Sequence, residues 1–92
     1  MPTSLIEIKY KPSFIRDFKK LAQEIQEEGF EKIELFKNNE NHHKLKVHKL
    51  KGKLKNFYSF SITYSHGVVF EYKSKDKQSV VFLAVGDHEV YK

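Results

Sequence analysis

A chain of 92 residues is long enough for one domain around a single small core. Its hydrophobic share of 39%, with eight Phe and five Tyr, excludes a disordered chain, and the lack of cysteine excludes a disulfide framework or thiolate zinc site. No apolar run approaches the roughly 18 residues of a membrane span, and Met1–Leu5 lacks the basic-then-apolar order of a secretory signal, so a cytoplasmic protein is expected.

The net charge of +5 is unevenly placed. Residues 1–40 carry seven Lys/Arg against eight Asp/Glu, whereas residues 41–92 carry ten against four. The densest stretch, 44–55, holds six lysines and no acid: Lys44, Lys46, Lys49, Lys51, Lys53 and Lys55. Such a field attracts a polyanion and speeds encounter with it.

Ile6, Ile8 and Tyr10 alternate with Glu7 and Lys9, the period of a short strand. Pro12-Ser13 stops it, with Ser13 the predicted N-cap of a helix. Phe14, Phe18, Leu21 and Ile25 then form one apolar helix face, with Glu24, Glu27 and Glu28 near the end and Gly29 as the stop. A second, shorter helix is expected from about Phe30, with Ile33 and Phe36 inward, closed by Asn38-Asn39-Glu40-Asn41. Leu45 and Val47 alternate with lysines, which allows an extra short strand near 45–49 before a loop at Gly52.

Tyr58, Phe60, Ile62 and Tyr64 alternate with Ser59, Ser61 and Thr63 as a half-buried strand. Ser65-His66-Gly67 reads as a tight turn into the strand Val68–Tyr72, and Lys73–Gln78 as a hairpin loop. Val80–Val85 is a continuous apolar run, expected of a central strand covered on both faces. The order β-α-α-β-β-β predicts one α+β domain over 1–92. Its sheet is small, twisted and mostly antiparallel, with a two-helix hairpin on one face.

Two segments carry the chemistry. Val85-Gly86-Asp87-His88-Glu89-Val90-Tyr91-Lys92 gathers a histidine, an aspartate and a tyrosine, and His48-Lys49-Leu50-Lys51-Gly52 opens the lysine-rich segment. Metal-free RNA cleavage requires a base for the 2′-hydroxyl, an acid for the 5′-oxygen, and cations for the phosphoryl charge. Histidine suits the first two roles because its pKa lies near neutral, and lysines supply the third as point charges. His48 and His88 are the candidate acid/base pair, with His66 as a turn residue of possible catalytic use and Asp87 to tune His88. Lys46, Lys49, Lys51, Lys53 and Lys55 are the candidate phosphate contacts, and Tyr91 a candidate platform for a base. His42-His43 lacks the further ligands of a closed zinc site, and no P-loop or dinucleotide-binding glycine motif is present, so no metal or cofactor is expected.

The chain resembles the RelE/ParE superfamily, the toxin halves of type II toxin–antitoxin pairs. The likeness rests on the strand–two-helix opening with Phe14-Ile15-Arg16-Asp17-Phe18-Lys19-Lys20-Leu21, on His48-Lys49-Leu50-Lys51-Gly52, on Val68-Val69-Phe70-Glu71-Tyr72, and on Leu83–Tyr91. The His-x-Leu-x-Gly segment is similar to the YafQ branch. The resemblance implies a RelE-like microbial RNase fold whose active members cut mRNA on the ribosome and are silenced by a cognate antitoxin covering the basic surface. It implies His48 and His88 as the site histidines and Tyr91 as the closing aromatic. The chain departs from that pattern at Ser61, Ser65 and Gly67, where YafQ-type histidine and aspartate and a common arginine would fall. The implied partners are an antitoxin, the ribosome and mRNA, with no membrane and no small-molecule cofactor. A ParE-like inhibitor of DNA gyrase and a non-catalytic antitoxin-binding module share the same fold and remain alternatives.

Overall fold

The computed structural model describes residues 5–52 and 56–87. Strand β1 (Glu7–Tyr10) leads into helices α1 (Pro12–Lys19) and α2 (Gln23–Phe36), and a single 3-10 turn follows at Asn39–Asn41. The strands β2 (His48–Lys49), β3 (Tyr58–Ser61), β4 (His66–Tyr72) and β5 (Ser79–Asp87) complete the order. They form one five-stranded sheet, β1-β5-β4-β3-β2, in which only β1 and β5 run parallel. This is the anticipated α+β arrangement of two helices on a mixed sheet, with the extra short strand found at His48–Lys49.

The helices divide elsewhere than their periodicity suggests. Pro12 takes the first helical position, where its missing N–H and preset φ are no loss, so Lys11 and not Ser13 is the N-cap of α1. The chain breaks at Lys20–Ala22, where Ala22 has an extended ψ of 149°. No glycine marks this break. The Gln26 side chain reaches back from α2 and donates to the carbonyls of Lys19 (3.1 Å) and Leu21 (2.8 Å), which the end of α1 leaves over. Glu24 consequently lies in the first turn of α2, where the helix dipole favours an acid, and Glu27 and Glu28 follow in its first half instead of near a helix end.

Gly29 does not stop a helix but lies inside α2. A Cβ there would stand 2.6 Å and 2.9 Å from two ring carbons of Phe18. Glycine is thus the residue that lets the two helices close on each other. The core cluster fills the space between the helices and the sheet: Phe14, Phe18, Ile33 and Phe36 from the helices meet Phe60, Ile62, Val68, Phe70, Val80, Phe82 and Val85. Phe36 is fully buried, its ring 4.9 Å from those of Phe60 and Phe70 and 5.3 Å from that of Phe82.

His42 belongs to this core rather than to any site. Its ring stacks on Phe36 at 4.4 Å, and its Nε2 donates to the Phe36 carbonyl at 2.8 Å. Burial holds its pKa below the usual histidine value, and the hydrogen bond offsets part of that.

Strand β5 is central, as its apolar run suggests, but it is not buried evenly on both faces. Val80, Phe82 and Val85 are buried against the helices, while Val81, Leu83 and Ala84 are only half-buried. The register pairs Val69 with Ala84 and Phe70 with Phe82, which leaves Leu83 as the extra residue of a bulge. That one residue explains why the inward positions change from even to odd along β5. The turn before β4 also falls earlier than expected: it occupies residues 62–65, and His66 and Gly67 already pair with Asp87 and Gly86.

Candidate functional site

Alternation along the strands decides which side chains share the sheet face turned away from the helices. Phe60, Val68 and Val85 form one cross-strand row on the helix side, so the next row, His48–Ser59–Val69–Ala84, lies on the other face. Ser61, Gly67 and Gly86 form a further row on that face, with no bulk beyond a hydroxymethyl. His48 stands exposed at the edge of this floor, in which Ser59, Gly67 and Val69 are themselves buried. The sequence signal for that floor is the Ser59/Ser61 phase of the Tyr58–Ile62 alternation.

The imidazole of His48 is oriented by the backbone. Its Nδ1 lies 2.8 Å from the carbonyl oxygen of Lys46. A carbonyl only accepts, so Nδ1 carries the proton and Nε2 is left to exchange one with a ligand. Lys46 adopts a left-handed φ of 59°, a conformation a side chain rarely takes outside special sites. Backbone strain at Lys46 therefore accompanies the carbonyl that holds His48, a link no sequence pattern reveals. Beneath the histidine, the hydroxyl of its cross-strand neighbour Ser59 is buried with no hydrogen-bond partner among the described residues.

Around His48 the field is positive. Lys44, Lys46, Lys49 and Lys51 are all exposed, and no acid occurs between residues 41 and 70. Exposed cations on an edge strand also discourage pairing with a second sheet. Lys53 and Lys55, together with His88 and Tyr91, lie outside the described residues.

His66 and Asp87 are brought to each other, as cross-strand partners at the ends of β4 and β5. They are not brought to His48. Their row is three residues along the sheet from His48 and on the opposite side of its plane. With about 3.4 Å per residue and 4.8 Å per strand, His48 and His66 have backbones about 14 Å apart. The His66 ring is held by hydroxyls, its Nδ1 3.0 Å from Ser65 Oγ and 3.3 Å from Thr63 Oγ1. Thr63 Oγ1 in turn accepts from the amides of Ser65 and His66, so the turn before β4 is a small hydroxyl network.

A cleft of about 480 Å³ lies on the helix side, away from His48. It is lined by Tyr10, Phe14, Ile15, Phe18 and Phe30 and carries no histidine. No described helix is long and apolar enough to cross a membrane.

Solved structures with the same arrangement define the class. A conserved hypothetical protein of Helicobacter pylori is 23% identical at a TM-score of 0.69, covering 92% of this chain and 97% of its own. RelE in the archaeal RelE–RelB complex of Pyrococcus horikoshii is 13% identical at a TM-score of 0.70, covering 90% and 94%. The E. coli DinJ–YafQ toxin–antitoxin complex gives 20% identity and a TM-score of 0.69, covering 94% and 96%. The fold is that of the RelE/ParE toxin superfamily. Residues 8–90 match the family model of the ParE toxin of the type II toxin–antitoxin system parDE, and the chain belongs to that family. No curated protein matches the sequence.

Proposed function

We propose that this toxin is a ribosome-dependent mRNA endonuclease that cuts without a metal, with His48 in proton transfer. The observation that carries the reading is the exposed His48 imidazole, fixed through Nδ1 on the Lys46 carbonyl with Nε2 available, in a lysine field free of acids. Neutral His48 takes the proton of the 2′-hydroxyl at Nε2, the oxygen attacks the adjacent phosphorus, and the 5′-oxygen departs with a proton. The lysines oppose the charge that grows on the phosphoryl oxygens. His88 is the proposed proton donor to the 5′-oxygen, on its place in the sequence. Lys46, Lys49, Lys51, Lys53 and Lys55 are the proposed phosphate contacts, and Tyr91 the proposed base platform. His66 with Asp87 is a second proton-handling pair, set apart from His48 by the sheet.

The partner proposed for regulation is a cognate antitoxin, since the archaeal RelE and the E. coli YafQ were both solved as toxin–antitoxin complexes. A second reading, inhibition of DNA gyrase by binding, is supported by the ParE identity of the matching family.

The test is cleavage of mRNA on programmed ribosomes, read by primer extension, for wild type, His48→Ala and His88→Ala. Codon-phased cuts that fall by about 10²–10⁴-fold in His48→Ala are expected. Folded wild type that cuts nothing, yet blocks gyrase supercoiling, overturns the nuclease reading in favour of the second one. Wild type that does neither but binds an antitoxin is a non-catalytic module.

A further inference from the structure

Among the described residues Ser59 is the one buried polar residue, 1% exposed, and its hydroxyl has no hydrogen-bond partner there. Leaving such a group unpaired lowers stability, so a hydroxyl kept in that position calls for a partner that comes and goes. The strand register gives its neighbours on the face turned away from the helices. His48 and Val69 lie directly across, Ser61 along β3, and Leu50, Gly67 and Glu71 on the diagonals. Leu50 and Val69 are buried without belonging to the core under the helices, and they help to shut water out. Three of these neighbours carry polar side chains. Ser61 is two residues along the strand, and Glu71 reaches toward Lys73 at 3.8 Å. His48 is the direct cross-strand partner, an exposed side chain whose ring is tied through Nδ1 to the Lys46 carbonyl.

We infer that Ser59 is a positioning residue whose hydroxyl is a second seat for the His48 imidazole, taken when the ring turns in over the sheet. This rests on the proton-transfer reading of His48 above and deepens it. Cross-strand partners have Cβ atoms about 4.5–5.5 Å apart, a gap that an imidazole and a hydroxymethyl bridge with one hydrogen bond. Rotation about the two side-chain bonds of His48 carries its Nδ1–H from the Lys46 carbonyl to Ser59 Oγ. Both oxygens accept, so the tautomer is unchanged and Nε2 is free in either seat. In the outer seat Nε2 faces water at the edge of the sheet. In the inner seat it stands beside the row of Ser61, Gly67 and Gly86, where the sheet leaves room for a sugar and its phosphate. The exchange costs little at Lys46, which is exposed, so water takes the place of the ring at its carbonyl. The Ser59 hydroxyl is shut off from water, so the ring is what ends its isolation. The free protein thus gives up stability to hold its base where RNA lies.

The experiment compares wild type with Ser59→Ala, Ser59→Thr, His48→Ala and the double variant His48→Ala/Ser59→Ala. Urea unfolding reports stability. In the free protein, NMR reads nuclear Overhauser contacts between the His48 ring protons and the Val69 methyls. Val69 lies beyond Ser59, two strands and about 10 Å from His48, so the ring meets it in the inner seat alone. Steady-state cleavage on programmed ribosomes gives kcat and KM.

Ser59→Ala is expected to unfold at the same or a higher urea midpoint, since the hydroxyl it removes has no partner in the outer seat. The His48–Val69 contact is expected in wild type and in Ser59→Thr, and is expected to vanish in Ser59→Ala. The kcat of Ser59→Ala should fall about 10- to 100-fold with KM within about twofold, and Ser59→Thr should regain most of it. The double variant should cut no more slowly than His48→Ala, because Ser59 acts through that ring. A clear drop in the Ser59→Ala midpoint overturns the inference, because the hydroxyl is then structural. So does a His48–Val69 contact that is missing from wild type or that survives in Ser59→Ala. An unchanged kcat in Ser59→Ala beside an active wild type also overturns it. Wild type that cuts nothing removes the nuclease reading alone, and the NMR comparison still decides the seat of His48.

Discussion

Gly29→Ala separates intrinsic helix preference from packing. In an exposed helix interior the change stabilises by about 1 kcal/mol, because alanine gives up less backbone entropy. Here the new methyl would sit 2.6 Å from a Phe18 ring carbon, and the ring must retreat by about 1 Å to reach ordinary carbon contact. Retreat is obstructed, since Phe18 packs against Phe14 at 5.9 Å and Phe30 at 5.2 Å and is itself buried. Overpacking of this kind costs about 1–3 kcal/mol, so the expected net is a loss of about 1 kcal/mol. Urea unfolding should show a lower midpoint at an unchanged slope. In a Phe18→Leu background, where the ring is gone, the same substitution should stabilise, giving a clear coupling between the two sites. A rise in midpoint on Gly29→Ala alone would refute the argument that this glycine is there for the close approach of α1 and α2.

Stability should also depend on pH through His42. Burial depresses its folded pKa below the unfolded value near 6.5, so below that pH the unfolded chain binds the proton first and stability falls as the pH is lowered further. His42→Gln, which keeps an N–H for the Phe36 carbonyl, should flatten the curve between pH 7 and the acid side in chemical denaturation; an unchanged acid slope would count against it. Gln26→Ala removes both side-chain bonds to the end of α1 and should cost about 1 kcal/mol in the same assay, with the amides of residues 19–22 gaining hydrogen exchange.

Strands whose side chains alternate were legible because period two survives any tertiary context. The phase of Tyr58, Phe60 and Ile62 told inside from outside directly, and so located the serine floor. The break between α1 and α2 was not legible, because it depends on Gln26 turning back and on Phe18 facing Gly29, contacts seven and eleven residues apart in the chain. The even burial expected of β5 failed for a related reason: the bulge at Leu83 shifts its phase midway, and an all-apolar run hides such a shift. At the candidate site, His48 and its lysines were visible as residues. The tautomer of His48, set by a strained carbonyl two residues away, was not. Nor was the distance from His48 to His66, which follows only from register.

Translation order gives the strand arrangement a further meaning. β5 follows every other strand in sequence, yet it sits between β1 and β4 and packs against α1. A nascent chain can form its helices and the β3–β4 hairpin early, but β1 has no neighbour in the sheet until β5 has emerged. Closure then joins residues about seventy positions apart, a slow and late event. The parallel β1–β5 pairing is thus the step that completes the sheet, and it waits on the last strand described.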